Sequence, residues 1–383
     1  MTDENADEIA DLVAYVAEQA DAVDRSGQLA EQTLPRLRAA GVLDPLLPTA
    51  GTGGPDMASF FDTVQRLSAA CGSTGWLVAH YGLHRWHLGK FDPRAQDQVW
   101  DAGPDTLVVA AHGTGGHADA ATDHYLLSGR WTFCYGVEHA GWILLTAPLT
   151  DSAGHTLDLC TFLVPTGDLR IEPNWDVSGL RAAGGHDVML DEVVVPAHRC
   201  LSVGDAINGT GPGNNGALFR VPLPTMAALA ATIPIVGIAE QVYRSFVGWY
   251  RMALDRPSPG LRQYIGEQLS TRVGVASTRL DAATRNSRAA ARLVADHIVT
   301  DTEIDISTRI RIRRDQQLAA EDLVDMVEAL FRHTSSEVVR VGNPVERGWR
   351  DIHVARTEPL NSQSVHATVG AVALWMAPPL PMI

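Results

Sequence analysis

Near Thr106 the spacing of apolar residues switches from a helical to an alternating period, and after Gly216 it switches back. A chain that changes period twice must set a sheet between two helical parts. Before the switch, Ile9, Leu12, Val13 and Val16, then Leu29, Leu34 and Leu37, recur at helical spacing as far as Gly41. Phe60, Phe61, Val64 and Leu67 mark a second helical block, Trp76, Leu77, Tyr81 and Trp86 a third, and 95–100 a short one. Residues 107–110, 125–127, 142–147, 157–164 and 187–195 are short β-prone runs divided by Gly, Pro and Asp, the pattern of an antiparallel sheet. A Gly-rich stretch at 208–216 precedes long helices predicted over 227–252, 261–300, 304–333 and 349–375, with a Pro/Gly break at 257–260. The expectation is an α+β, mostly α protein with a helical lobe over 1–105, a β lobe over 106–215 and a four-helix bundle over 216–383.

Composition removes several functional classes. The 383 residues carry a formal net charge of −15, and Lys90 is the only lysine, so no basic stripe can neutralise a phosphate backbone. The run 227–238 is too short to cross a bilayer, which needs roughly 18 or more apolar residues. With no apolar leader behind the acidic Met1–Asn5 and four widely spaced cysteines (Cys71, Cys134, Cys160, Cys200), the expectation is a cytoplasmic protein with reduced thiols and no metal site. No Gly-x-Ser-x-Gly elbow marks a hydrolase.

Two runs carry the chemistry. The first is Ser128-Gly129-Arg130-Trp131-Thr132-Phe133-Cys134-Tyr135-Gly136-Val137-Glu138-His139-Ala140-Gly141-Trp142. The second is Trp175-Asp176-Val177-Ser178-Gly179-Leu180-Arg181-Ala182-Ala183-Gly184-Gly185-His186-Asp187-Val188. A strand with Trp131, Phe133 and Tyr135 on one face, then a turn at Gly136, suits a flat ring that is apolar on one side and hydrogen-bonding along its edge. The same pattern also suits an aromatic strand that merely packs on helices.

In order along the chain, the two runs resemble the flavin-facing strands of the acyl-CoA dehydrogenase fold. They are most similar to the oxygenase components of two-component flavin monooxygenases of the hydroxyphenylacetate hydroxylase type. Gly72-Ser73-Thr74-Gly75-Trp76, Gly82-Leu83-His84-Arg85-Trp86, Ala95–Trp100, Phe162–Pro165, Val193–Pro196 and Pro344–Asp351 resemble the same family in the same order. The resemblance implies reduced flavin (FMNH2 or FADH2), O2, a C4a-hydroperoxyflavin that hydroxylates an aromatic, polyketide-like or amine molecule, a separate flavin reductase, and a homotetramer or homodimer. It implies Trp131, Phe133, Cys134, Tyr135 and Gly136 as the ring wall, Arg181 and Gly184 in the flavin loop, and Trp86, His84 and Glu358 toward substrate. Tyr135 and Glu358 are the candidate catalytic residues.

Three positions depart from that family. Tyr135 stands where a serine is usual, Ala182-Ala183-Gly184-Gly185 replaces Gly-Thr-Gly-Ser, and Glu358 occupies the place of a histidine. Glu358 also lies one residue from the base of the dehydrogenase branch. Two alternatives therefore stand beside the oxygenase: a flavin-bound dehydrogenase, and a non-redox cyclase or ligand-binding protein on the same fold.

Overall fold

The computed structural model describes residues 3–46, 57–213 (apart from 102, 112 and 114), 216–255, 267–358 and 364–376 (apart from 375). Among the described residues five α-helices come first: α1 (Asp3–Ser26), α2 (Thr33–Ala39), α3 (Met57–Ala70), α4 (Gly72–Leu88) and α5 (Pro93–Trp100). The single helical stretch expected over 6–38 is broken at Gly27, whose φ of 69° ends α1. Helix α5 starts where the sequence encodes a start: Pro93 takes its first position and Asp92 accepts the Arg94 N–H at 2.9 Å.

The sheet holds β1 (Val108–Ala111), β2 (Gly116–Ala120), β3 (His124–Cys134), β4 (Trp142–Thr150), β5 (Thr156–Pro165), β6 (Arg170–Glu172), β7 (His186–Pro196) and β8 (Cys200–Ser202). Its order is β6-β7-β3-β2-β4-β5-β8, with β1 beside β4. The sheet is mixed rather than antiparallel, because β4 runs parallel to β1 (Val108↔Trp142) and to β2 (Ala118↔Leu149). Alternating burial encodes a strand's faces but not its direction, so sequence could not show this.

Helices α6 (Val203–Asn208) and α7 (Ala217–Arg220) lead to α8 (Leu223–Asp255), α9 (Glu267–Val299), α10 (Ile306–Phe331), α11 (Pro344–Ala355) and α12 (Ser364–Ala373). The helix expected over 349–375 is instead divided between α11 and α12, while the break at 257–260 lies outside the described residues. Asp305 caps α10 through the Thr308 N–H, and Asn343 caps α11 through the Val345 N–H. By length and composition α8 could cross a membrane, yet 89% of its most apolar window is buried inside the protein. It is the bundle's central element: Leu229, Ile233, Ile238, Val242 and Phe246 are all buried. Each such side chain contributes about 1.5–3 kcal/mol of burial free energy. Helices α3 and α4 pack on α8, and α4 also meets the sheet at β1, so α4 stands where helices and sheet converge.

Candidate functional site

The end of β3 does not keep its period. Trp131 pairs with Val188 and Cys134 with His186, so two residues on β3 face one on β7. This bulge turns the side chains apart. Trp131 goes inward, fully buried, its indole N–H donating to the Thr146 carbonyl at 2.8 Å. Cys134 is buried as well, and burial, helped by the Asp187 charge, pushes its thiol up to about 12. Phe133 faces out, 58% exposed, with a left-handed φ of 60° that a side-chain-bearing residue rarely adopts. The expected wall of Trp131, Phe133 and Tyr135 on one face therefore does not form. Trp131 and Cys134 support the strand from behind, and the aromatic wall is exposed Phe133 with half-buried Trp175, whose rings lie 6.0 Å apart at 88°.

Tyr135 follows the bulge and points at α4. Its ring lies 5.6 Å from Trp76, 5.3 Å from His80 and 5.7 Å from Trp175. Burial first, then the negative charge of Glu358, raises the Tyr135 hydroxyl well above the usual phenol range, so it stays protonated at physiological pH. Glu358 is half-buried just past α11, its N–H donating to Ala355 O at 3.3 Å. The chain turns at Gly136 (φ 70°), whose carbonyl accepts the Tyr81 hydroxyl at 3.2 Å.

All 17 residues of α4 are buried. On the face toward Tyr135, His80 is held to the Trp76 carbonyl through Nδ1 at 2.8 Å, and its ring lies 5.8 Å from that of His84. Trp86 belongs elsewhere. Its indole N–H donates to Leu218 O at 3.0 Å and Lys90 Nζ sits 4.6 Å from its ring, so it ties α4 to α7 instead of lining a substrate pocket. Lys90 itself donates to Phe219 O and, at 2.7 Å, to Val221 O, and burial pulls its amine down to about 7.

Residues 175–185 form the opposite side. Trp175 is stapled twice, its N–H donating to His186 Nδ1 at 3.2 Å and its indole to Leu180 O at 3.1 Å. The other edge of His186 meets Glu138 Oε1 at 3.3 Å. The Arg181 guanidinium donates to the carbonyls of Asp24 and Val177, so it shapes the loop. The Gly136 N–H donates to the carbonyls of Ala183 and Gly184 at 2.9 and 3.1 Å. A cavity of about 300 Å³ opens between Gly27–Leu29, Gly136, Glu138, His139, Ala182 and Gly184.

Gly185 explains two of the departures in sequence. A Cβ there would lie 2.7 Å from the Trp175 ring and 3.0 Å from the Tyr135 ring. The large residue at 135 and the missing side chain at 185 are therefore one steric solution. Trp76 and Trp175 stood inside the quoted runs without a role of their own, and His80 was missed, although it precedes His84 by one turn and shares its face.

These residues suit a flavin. An aromatic pair of exposed Phe133 and half-buried Trp175, a glycine-lined approach and the buried Trp76 indole N–H, which finds no acceptor among the described residues, meet the needs of a flat ring with a polar edge.

Comparison with known proteins agrees. Residues 229–360 match the family model described as acyl-CoA dehydrogenase, C-terminal domain. The flavin-dependent monooxygenase, oxygenase subunit HsaA, of Rhodococcus jostii (strain RHA1) is 30% identical over 357 residues, covering 91% of this chain and 92% of that protein. The FADH(2)-dependent resorcinol hydroxylase, oxygenase component, of Rhizobium sp. (strain MTP-10005) is 31% identical over 387 residues, covering 96% and 95%. The solved structure of XiaF from Streptomyces sp. in complex with FADH2 and glycerol superposes with a TM-score of 0.87 at 25% identity, covering 99% of both chains. Fold and site thus define an acyl-CoA dehydrogenase-like flavoprotein. Within that class, the chain belongs to the family of flavin-dependent monooxygenase oxygenase components, oxidoreductases that use reduced flavin and O2.

Proposed function

We propose that the chain hydroxylates a phenol-class aromatic molecule, with reduced flavin delivered by a separate reductase. The observation that carries this reading is the placement of Tyr135 between the imidazole-rich face of α4 and the Phe133–Trp175 wall, within electrostatic reach of Glu358. The names of the relatives support the aromatic class, since one of them acts on resorcinol.

Bound reduced flavin supplies the electrons that activate O2. This chain's residues bind, orient and keep the site dry. Trp76 and Trp175 each stand edge-on to the Tyr135 ring, and the three rings give a flat substrate surfaces to lie against. Half-buried Glu358 accepts the proton of the substrate hydroxyl. Neutral Tyr135 offers its hydroxyl as a donor and never competes for that proton, because its own ionisation lies far above neutral pH. His84 and His80 border the same space from α4. Exclusion of water by the wholly buried α4 protects the reaction from solvent.

The proposal extends to a cytoplasmic homotetramer in which a second subunit covers the exposed Phe133. The test is oxygen uptake by the purified chain with enzymatically reduced FMN or FAD and a panel of phenols. Uptake coupled to hydroxylated product supports the reading. Substrate turnover that needs neither flavin nor O2 refutes it, and a monomer by light scattering at high concentration refutes the assembly.

A further inference from the structure

Both walls of the site rest on one buried carboxylate. Asp351, on α11 and 4% exposed, accepts the Leu180 N–H on Oδ1 at 2.6 Å. Its Oδ2 lies against Gly72, the first residue of α4, where a Cβ would come within 2.6 Å. Helix α4 carries Trp76, His80 and His84, and its positive N-terminal end favours a negative charge there. Leu180 carries the other wall, because its carbonyl accepts the Trp175 indole at 3.1 Å. Leu180 is also held at a left-handed φ of 49°, a conformation that persists in a non-glycine residue only where its surroundings enforce it.

The neighbouring residues are gripped by the same helix. Arg350 donates to Ser178 O at 2.6 Å and is itself fixed by Asp24 at 2.7 Å and by Glu346. Ala182, two residues beyond Leu180, donates its N–H to Ser73 Oγ on α4 at 3.3 Å. The loop is thereby clamped between α11, α1 and α4.

We propose that Asp351 is a positioning residue for the oxygenase reaction: its carboxylate fixes Leu180, and through Leu180 the Trp175 ring, against the α4 face so that the Tyr135 pocket closes. The inference rests on the oxygenase reading for its catalytic consequence. Asp351 touches neither flavin nor substrate and acts only through Leu180 and α4. A loosened Trp175 admits water and misplaces the substrate, so O2 is spent on hydrogen peroxide instead of product.

The experiment compares wild type, D351N, D351A and W175F in two ways. The first is hydrogen exchange of the Leu180 amide in flavin-free protein. The second is the ratio of hydroxylated product to O2 consumed with reduced flavin. D351N keeps an oxygen acceptor of the same size, so Leu180 stays protected and coupling stays within about threefold of wild type. D351A loses both, with Leu180 exchange accelerating and coupling falling roughly tenfold. W175F loses the indole N–H together with the five-membered ring that carries it, so it lowers coupling while leaving Leu180 protected, and it serves where D351A does not fold. Wild-type protection and coupling in folded D351A, or full coupling in W175F, overturns the proposal. Failure of the oxygenase reading looks different: wild type itself then consumes no O2 with reduced flavin, whatever the exchange data show.

Discussion

Gly185 gives the sharpest mechanical test of how this site is built. Its φ is not left-handed, so replacing it by alanine carries no backbone strain and the whole effect is steric. The new methyl would lie 2.7 and 2.8 Å from two Trp175 ring atoms and 3.0 Å from Tyr135 Cδ1, all closer than ordinary van der Waals contact. Trp175 cannot simply swing away, because its N–H is held by His186 and its indole by Leu180. Overpacking against two fixed rings costs about 1–3 kcal/mol. Removing the Tyr135 ring frees one of the two collisions, so G185A should cost less in a Y135A background, with a coupling energy of at least about 0.5 kcal/mol. Urea unfolding of the four proteins of this cycle, at fixed protomer concentration, measures both quantities. A G185A protein within about 0.5 kcal/mol of wild type, or strict additivity, would show that the glycine at 185 and the tyrosine at 135 are unrelated.

Glu358→Gln should leave the fold intact and lower turnover roughly 10²-fold, the usual scale for a lost proton acceptor; steady-state kinetics with circular dichroism checks this, and turnover within about twofold removes Glu358 from catalysis. Tyr135→Phe should weaken substrate binding or coupling without moving the pH profile of turnover, since the hydroxyl never ionises in the accessible range. Trp86→Phe should destabilise the chain by about 1–3 kcal/mol, because the Leu218 carbonyl loses its donor, while KM stays within about twofold. Lys90 has a folded pKa of about 7, below the 10.5 of an ordinary lysine, so between these values the unfolded chain binds more protons. Stability should therefore rise with pH across that window by up to about 1.4 kcal/mol per unit from this group, and Lys90→Met should flatten the slope in pH-dependent urea melts.

The order of helical, strand and helical segments was legible because a change of period survives any detail of packing. The candidate site was legible only in part. The run from Trp131 to Gly136 singled out one stretch of chain, but strict alternation placed Trp131 and Phe133 on one face, and a one-residue bulge undoes that. Glu358 was found through the family resemblance, as the residue in the place of a histidine, whereas its proximity to Tyr135 required the fold. Trp86 was placed toward substrate by the family resemblance, but on this wholly buried helix its indole N–H is taken by the Leu218 carbonyl. Gly185 and Tyr135 read as two separate departures until the geometry showed one filling the space the other leaves. Asp351 stood in a recognised segment, but only three dimensions show that it joins α4 to the Leu180 loop.

The central claim is that this chain inserts oxygen from O2 into an aromatic substrate at the expense of reduced flavin. The most direct measurement is single-turnover mixing of purified protein, reduced flavin and a phenol with isotopically heavy O2, followed by mass spectrometry of the product. The account predicts one heavy oxygen atom in the hydroxylated product, no product when flavin or O2 is omitted, and loss of product with E358Q. A product free of the heavy isotope, or formed equally well without O2, would contradict it.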